Sequence, residues 1–266
     1  MDYLYDGSFE GFLCCIYAHY YKKRAEGIYP ENHYQRTMLQ PFFIVETEAE
    51  KAEKVYKAIQ NKISNASLQR VYKAFLSNDI QKETKLLNYL VLGFRIGKKV
   101  DALHSETVVY QVQQLEHKVA AEQHRLLGLV RFSAIEGKKE KDKEKDKEKD
   151  ISSDAGRHIL YSAIEPDHNI LELIADHFAQ RFPEETFIMH DIKREKALFC
   201  QNGDWYLGHL RKELTYAVSE DELEYRKLWK KYFNSIAITE RTNADCQKRC
   251  MPVRYWKNLT EFHSYP

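Results

Sequence analysis

Leu129-Val130-Arg131-Phe132-Ser133-Ala134-Ile135-Glu136 and its near copy Tyr161-Ser162-Ala163-Ile164-Glu165-Pro166 decide the fold. Apolar and polar side chains alternate along the first stretch, the period of a strand with one buried face. Two copies are too few for a solenoid, so they read as neighbouring antiparallel strands. Between them, residues 138–150 carry seven Lys against six acids in near-strict alternation, with no apolar residue to bury. That composition predicts a solvated tip on an overgrown hairpin.

Downstream, Asp167 is placed to cap a helix whose inner face is Ile170, Leu171, Ile174, Phe178 and Phe182, ending at Pro183. Three further strands are expected at residues 187–190, 197–200 and 205–210, with Asn202-Gly203 as a hairpin turn. The reading is an antiparallel meander sheet of about five strands laid against helices. Ser219-x-x-Glu222 forms a capping box, and Leu223, Leu228, Trp229, Tyr232, Phe233 and Ile236 mark the face that the following helix is expected to bury.

Upstream, residues 3–5 read as a short strand, and Phe9, Phe12, Leu13, Ile16, Tyr17 and Tyr20 repeat with helical period. Phe42-Phe43-Ile44-Val45 is a second β-prone run, expected to pair with the first as a short hairpin. Stripes through Val55, Ile59 and Ile63, then Leu68 and Val71, then Leu86 and Leu90, then Val112 and Val119 predict a helical layer on that hairpin. The fold class is therefore α+β. Residues 1–126 are read as mainly helical with a short hairpin, and residues 127–266 as an antiparallel sheet plus helices, with 138–157 a disordered insertion at the hairpin tip and the carboxyl-terminal segment helical.

The chain of 266 residues is 43% hydrophobic and 13% aromatic, the inventory of a globular protein that buries a sizeable core. No apolar run approaches the roughly 20 residues of a membrane span, and no basic stretch followed by an apolar one opens the chain. Five Cys at 14, 15, 200, 246 and 250 show no repeated spacing, which suits a reducing compartment and buried structural thiols. The expected location is the cytoplasm. Neither a metal site nor a resident cofactor is expected, because no third and fourth ligand stand near Cys246 and Cys250 and no C-x3-C-x2-C occurs. The sequence also lacks G-x-S-x-G, H-E-x-x-H, a P-loop, a dinucleotide-binding glycine pattern and C-x-x-C, which removes the usual support for hydrolase, metalloprotease, nucleotide triphosphatase and redox readings.

Net charge is +1, but its distribution is uneven. Residues 226–257 hold nine Lys and Arg against Glu240 and Asp245, giving 9 − 2 = +7. Arg241, Lys248, Arg249 and Arg254 are suited to phosphate, and Tyr255 and Trp256 to stacking on exposed bases. Read as one helix, the segment places Glu240, Asn243, Gln247 and Cys250 on a stripe, where the first three are candidate catalytic residues that read or polarise a base. The alternative is that Tyr255 and Trp256 fill the core and Glu240 with Arg241 ties the helix to a neighbour. A second group is His177, Arg181, His190, Asp191, Lys193 and Arg194. Strand neighbours point to opposite faces, so His190 and Asp191 do not read as an acid–base pair. In a third, Tyr5-Asp6-Gly7-Ser8-Phe9-Glu10-Gly11, helix capping is preferred over anion binding, since Asp6 and Glu10 repel a phosphate.

Taken together, Tyr5-Asp6-Gly7-Ser8-Phe9-Glu10-Gly11-Phe12-Leu13, Glu165-Pro166-Asp167-His168-Asn169, His177-Phe178-x-x-Arg181-Phe182-Pro183 and Met251-Pro252-x-Arg254-Tyr255-Trp256-Lys257 resemble a bacterial family of uncharacterised proteins labelled probable DNA metabolism protein. The likeness runs over nearly the whole chain except the Lys/Asp/Glu tip. It implies a partnership with a putative DNA-modification or DNA-repair radical SAM protein, and some relatives are fused to a uracil-DNA glycosylase-like domain. It supplies no catalytic residues. The expected function is a DNA-repair or DNA-modification accessory that binds nucleic acid through its carboxyl-terminal segment. The alternatives are an enzyme acting on a damaged or modified base or nucleotide, and a protein-interaction module without nucleic-acid contact.

Overall fold

Asp2–Tyr5 forms β1, four residues that are all buried, and the chain then turns at Gly7 into α1, Phe9–Tyr21. Strand β2 spans Gly27–Pro30 and β3 spans Phe42–Ile44. The computed structural model describes residues 1–35, 40–135, 159–211 and 220–262. The Lys/Asp/Glu tip, the rest of the 138–157 insertion and Ser219 of the capping box lie outside the described residues. Two units partition the chain: Met1–Ala121 with Asp167–Asn169, and Glu122–Pro166 with Ile170–Pro266.

In the first unit the strands lie in the order β2-β1-β3, and both pairings are parallel, Tyr3 standing opposite Ile28 and Phe43. The expected hairpin is thereby corrected. Parallel neighbours need a crossover of a dozen or more residues, and the 13 residues of α1 supply it between β1 and β2. Strand β2 escapes a pattern reading because Gly27 and Pro30, which usually mark turns, are its ends. The amino-terminal motif caps α1, as preferred: Ser8 Oγ accepts from Gly11 N at 2.9 Å, and Asp6 accepts from Ser8 N at 2.9 Å and from Thr47 Oγ1 at 2.8 Å. A Cβ at Gly11 would lie 2.3 Å from Asp6 Oδ1, so this approach requires glycine.

The helical layer follows the predicted stripes, with α2 at Ala49–Lys62, α3 at Asn65–Phe75, α4 at Lys82–Ile96 and α5 at Thr107–Leu129, whose residues up to Ala121 belong to this unit. Leu86, Leu90, Val71, Ile59 and Val112 are fully buried. Asp167 does not cap the next helix. The Asp167–Asn169 stretch instead clasps the end of α3: Asn169 N donates to Leu76 O at 3.0 Å, and buried His168 accepts from Asn78 N at 3.2 Å through Nδ1.

Glu83 in the first turn of α4 is almost wholly buried and accepts from Tyr5 Oη at 2.9 Å. Burial raises its carboxyl above the usual carboxylate range, against the opposing pull of Lys82, the backbone and Tyr5. A raised folded-state value means this carboxyl favours folding below its ordinary titration range and less so as pH rises. Glu83→Gln is therefore expected to gain stability over the parent as pH goes from 5 to 8, read by urea unfolding at the two pH values. A constant difference would contradict it.

The second unit begins with the last turns of α5, anchored where Gln123 Nε2 donates to Leu173 O at 2.8 Å. Its strands are β4 (Ser133–Ile135), β5 (Ile159–Ile164), β6 (Thr186–Asp191), β7 (Lys196–Gln201) and β8 (Asp204–His209), in that spatial order. The two near-copies do lie side by side and antiparallel, Ser133 opposite Tyr161. The all-antiparallel meander is corrected at one pairing: β5 and β6 run parallel, because α6, Leu171–Arg181, returns the chain between them. The residue capping α6 is Ile170, with no side-chain bond. The Asn202-Gly203 turn has φ of +53° and +81°, as a two-residue hairpin demands. Helix α7 spans Glu220–Ile236, and α8 spans Ala244–Cys250. Among the described residues, no helix is long and apolar enough to cross a membrane.

Candidate nucleic-acid interface

Helix α7 turns a polar face inward. Arg226 Nε donates to Glu222 Oε1 at 2.8 Å, one turn back, and Arg226 also reaches Ser133 Oγ on β4. Trp229 Nε1 donates to Glu261 Oε2 at 3.2 Å, and Arg131 Nη2 donates to Glu261 Oε1 at 2.9 Å while its guanidinium lies 5.7 Å from the Trp229 ring centre. Glu261 is buried, which alone would raise its carboxyl, but hydrogen bonds from Arg131, the backbone and Trp229 hold it below the usual range. This residue, the fastener of α7, went unread in the sequence because a single acid between Thr260 and Phe262 carries no periodic signal.

The adjoining flank of α7 faces water. Tyr225, Leu228, Tyr232 and Ile236 are 53 to 70% exposed. The expected burial of the whole apolar stripe is thereby corrected. Apolar residues cover well over half the circumference of α7, and the Glu222, Arg226 and Glu261 network selects which part turns inward. Lys227 and Lys231 are exposed on the same helix, with no carboxylate partner among the described residues.

The segment that follows is not one helix. A 3-10 turn at Thr239–Arg241 and α8 are separate, and Asn243 is the N-cap of α8, its Oδ1 accepting from Cys246 N at 2.9 Å. The expected stripe of Glu240, Asn243, Gln247 and Cys250 is thus broken. An Asn that satisfies a helix N-terminus stands outside the helix and ends its period. Glu240 is exposed and Gln247 half-buried. Cys246 is half-buried and Cys250 exposed, whereas Cys14, Cys15 and Cys200 are the buried thiols.

The six candidate nucleic-acid residues divide in two. Arg241, Lys248 and Arg249 are exposed and have no carboxylate partner among the described residues; Lys248 and Arg249 occupy the last turn of α8, where cations suit the helix dipole. Arg254 is ion-paired though exposed, and Tyr255 and Trp256 pack against neighbours. Tyr255 is 3% exposed and its hydroxyl donates to Glu122, which lies buried on α5; Arg254 reaches Glu122 at 3.4 Å and sits 4.7 Å from the Tyr255 ring centre. Burial, aided by the Glu122 carboxylate, pushes the Tyr255 hydroxyl up to about 12. Trp256 stacks on Phe262 at 4.3 Å with the planes 3° apart, and its Nε1 donates to Met251 O at 2.8 Å. The Tyr255 ring is thus buried, and one face of Trp256 is covered by Phe262. Tyr255→Phe is expected to cost about 1 to 3 kcal/mol by leaving the Glu122 carboxylate short of a donor, measured by urea unfolding, with no loss of oligonucleotide binding at equal folded fraction.

The His190 group is structural. His190 Nε2 donates to Leu210 O, which only accepts, at 2.9 Å, and Nδ1 lies 2.9 Å from Tyr161 Oη. Asp191 is fully buried and accepts from Arg194 Nη1 at 2.8 Å. Arg181, by contrast, lies exposed at the end of α6, on the rim of an open cleft of about 670 Å³. Phe132, Phe178 and Phe182 form the aromatic floor of that cleft, and Trp229, Arg226 and Arg131 stand around it.

A family model described as a domain of unknown function, DUF4130, matches residues 80–261. The chain belongs to that family. No curated protein and no solved structure matches it. The region shared with DUF4130 contains α7, α8, Glu261 and the cleft, so the candidate nucleic-acid and catalytic residues of the carboxyl-terminal segment fall inside the family match. DUF4130 carries no assigned activity in its description.

Proposed function

We propose that this DUF4130 protein is a nucleic-acid-binding accessory of DNA repair or modification, acting beside a radical SAM partner. The observation that carries the reading is the set of Arg241, Lys248, Arg249, Lys227 and Lys231, exposed cations without carboxylate partners among the described residues, on the stretch that also exposes Tyr225 and Tyr232. Cations that are not neutralised internally release counterions when they meet phosphates, and exposed tyrosines offer sequence-tolerant platforms for unpaired bases. The resemblance to probable DNA metabolism proteins supports the biological setting and supplies the partner.

The enzyme reading has less support. Asn243 already accepts from the α8 backbone, and none of Glu240, Asn243 and Gln247 lines the cleft. Fluorescence anisotropy with a labelled single-stranded DNA oligonucleotide across a salt series tests the proposal. Binding that weakens steadily with salt is expected. Absent or salt-insensitive binding, with co-purification of the radical SAM partner that resists nuclease, would instead leave a protein-interaction module.

A further inference from the structure

The cleft beside α7 has the makings of a ligand site distinct from the exposed cations. Its volume of about 670 Å³ falls within the roughly 300–1,000 Å³ that encloses a small organic ligand, with a mainly apolar lining and a few charged groups. The floor is built from rings. Phe132 meets Phe178, Phe182 and Phe187 edge-on at 5.6, 5.5 and 5.3 Å, which fixes its position. Trp229, still 40% exposed, is held by its bond to Glu261. Rings so fixed favour a flat aromatic guest, which gains from stacking without ordering the host.

Charge defines the guest further. Three arginines line the cleft, and two carboxylates balance two of them: Glu222 pairs with Arg226 at 2.8 Å and Glu261 with Arg131 at 2.9 Å. Arg181, placed 5.8 Å from the Phe182 ring centre, has no carboxylate partner among the described residues. The balance is 3 − 2 = +1, suited to a guest with one negative charge. Phe178, Arg181 and Phe182 share one helical stripe of the His177-to-Pro183 motif, so a single sequence element supplies both floor and cation.

We propose that this cleft accepts one nucleotide unit of a DNA strand, its base against Phe132 and Trp229 and its singly charged phosphodiester at Arg181. The inference rests on the DNA reading above for the class of ligand, while its residues are different ones. Glu222, already fixed by Arg226, is a carboxylate acceptor suited to the amino group of a base.

Isothermal titration with the deoxythymidine and deoxyadenosine dinucleotides, each carrying one phosphodiester, tests it on the full chain. At least one dinucleotide is expected to bind, the matching free nucleoside at least tenfold more weakly. Arg181→Ala is expected to lower the dinucleotide to the nucleoside's level, and Trp229→Phe to remove the accompanying quench of tryptophan fluorescence. Arg241→Ala/Lys248→Ala/Arg249→Ala is expected to weaken a long oligonucleotide far more than it weakens either dinucleotide. No dinucleotide binding, or binding indifferent to Arg181→Ala, or binding lost in the triple variant, overturns the proposal. Oligonucleotide binding that is lost in Arg181→Ala but unchanged in the triple variant upholds the cleft and overturns the cationic surface.

Discussion

Arg70→Met is expected to lower the stability of the first unit by about 3 kcal/mol, the lower end of what removing one member of a buried ion pair costs. Arg70 on α3 donates through Nε to Glu116 on α5 at 2.6 Å and through Nη1 to Asp101. Asp101 also accepts from Ser67 Oγ at 2.8 Å and from Tyr89 Oη on α4. One guanidinium thus stands between two carboxylates that draw three helices together. Methionine keeps much of the stem's packing but leaves Asp101 and Glu116 to repel each other across a partly desolvated gap, side chains 23 and 28% exposed. Urea unfolding measures the loss, and adding Asp101→Asn is expected to recover part of it. A change below about 1 kcal/mol would show the pair to be solvent-screened.

The triple variant Arg241→Ala/Lys248→Ala/Arg249→Ala is expected to bind single-stranded DNA about 100-fold more weakly at 0.1 M salt. Each phosphate contact on a single strand contributes roughly 0.7 to the slope of log affinity against log salt, so at 0.1 M each contributes about 0.7 decade, and three about two decades. These side chains are exposed and form no ion pairs among the described residues, so the fold is expected to be unaffected, as circular dichroism would show. Arg254→Ala is the informative contrast. It removes a cation of the same segment that is paired with buried Glu122, and it is expected to act on stability rather than on binding.

Periodicity made the helices of the first unit and the five strands of the second legible, because each buries one regular face, as Leu86 and Leu90 or Ile135 and Tyr161 do. Strand direction was not legible. Whether two strands run parallel depends on what lies between them, and α1 and α6 act as crossovers whose role no local pattern announces. The candidate site was half visible. Arg241, Lys248 and Arg249 were found from charge density, but density does not reveal that Glu122, more than 130 residues from Arg254, and Glu165, more than 90 from Lys257, neutralise neighbouring cations. Rings followed the same rule: Trp256 found Phe262 and Tyr255 found Glu122, while Tyr225 and Tyr232, read as part of a buried helix or passed over, face water.

The salt dependence of single-stranded DNA binding, measured side by side for the parent chain and the triple variant, tests the central claim. The slope of log affinity against log salt is expected to be shallower by about 2 in the variant, three contacts at roughly 0.7 each. Equal slopes for the two proteins would mean that DNA meets this molecule elsewhere or not at all.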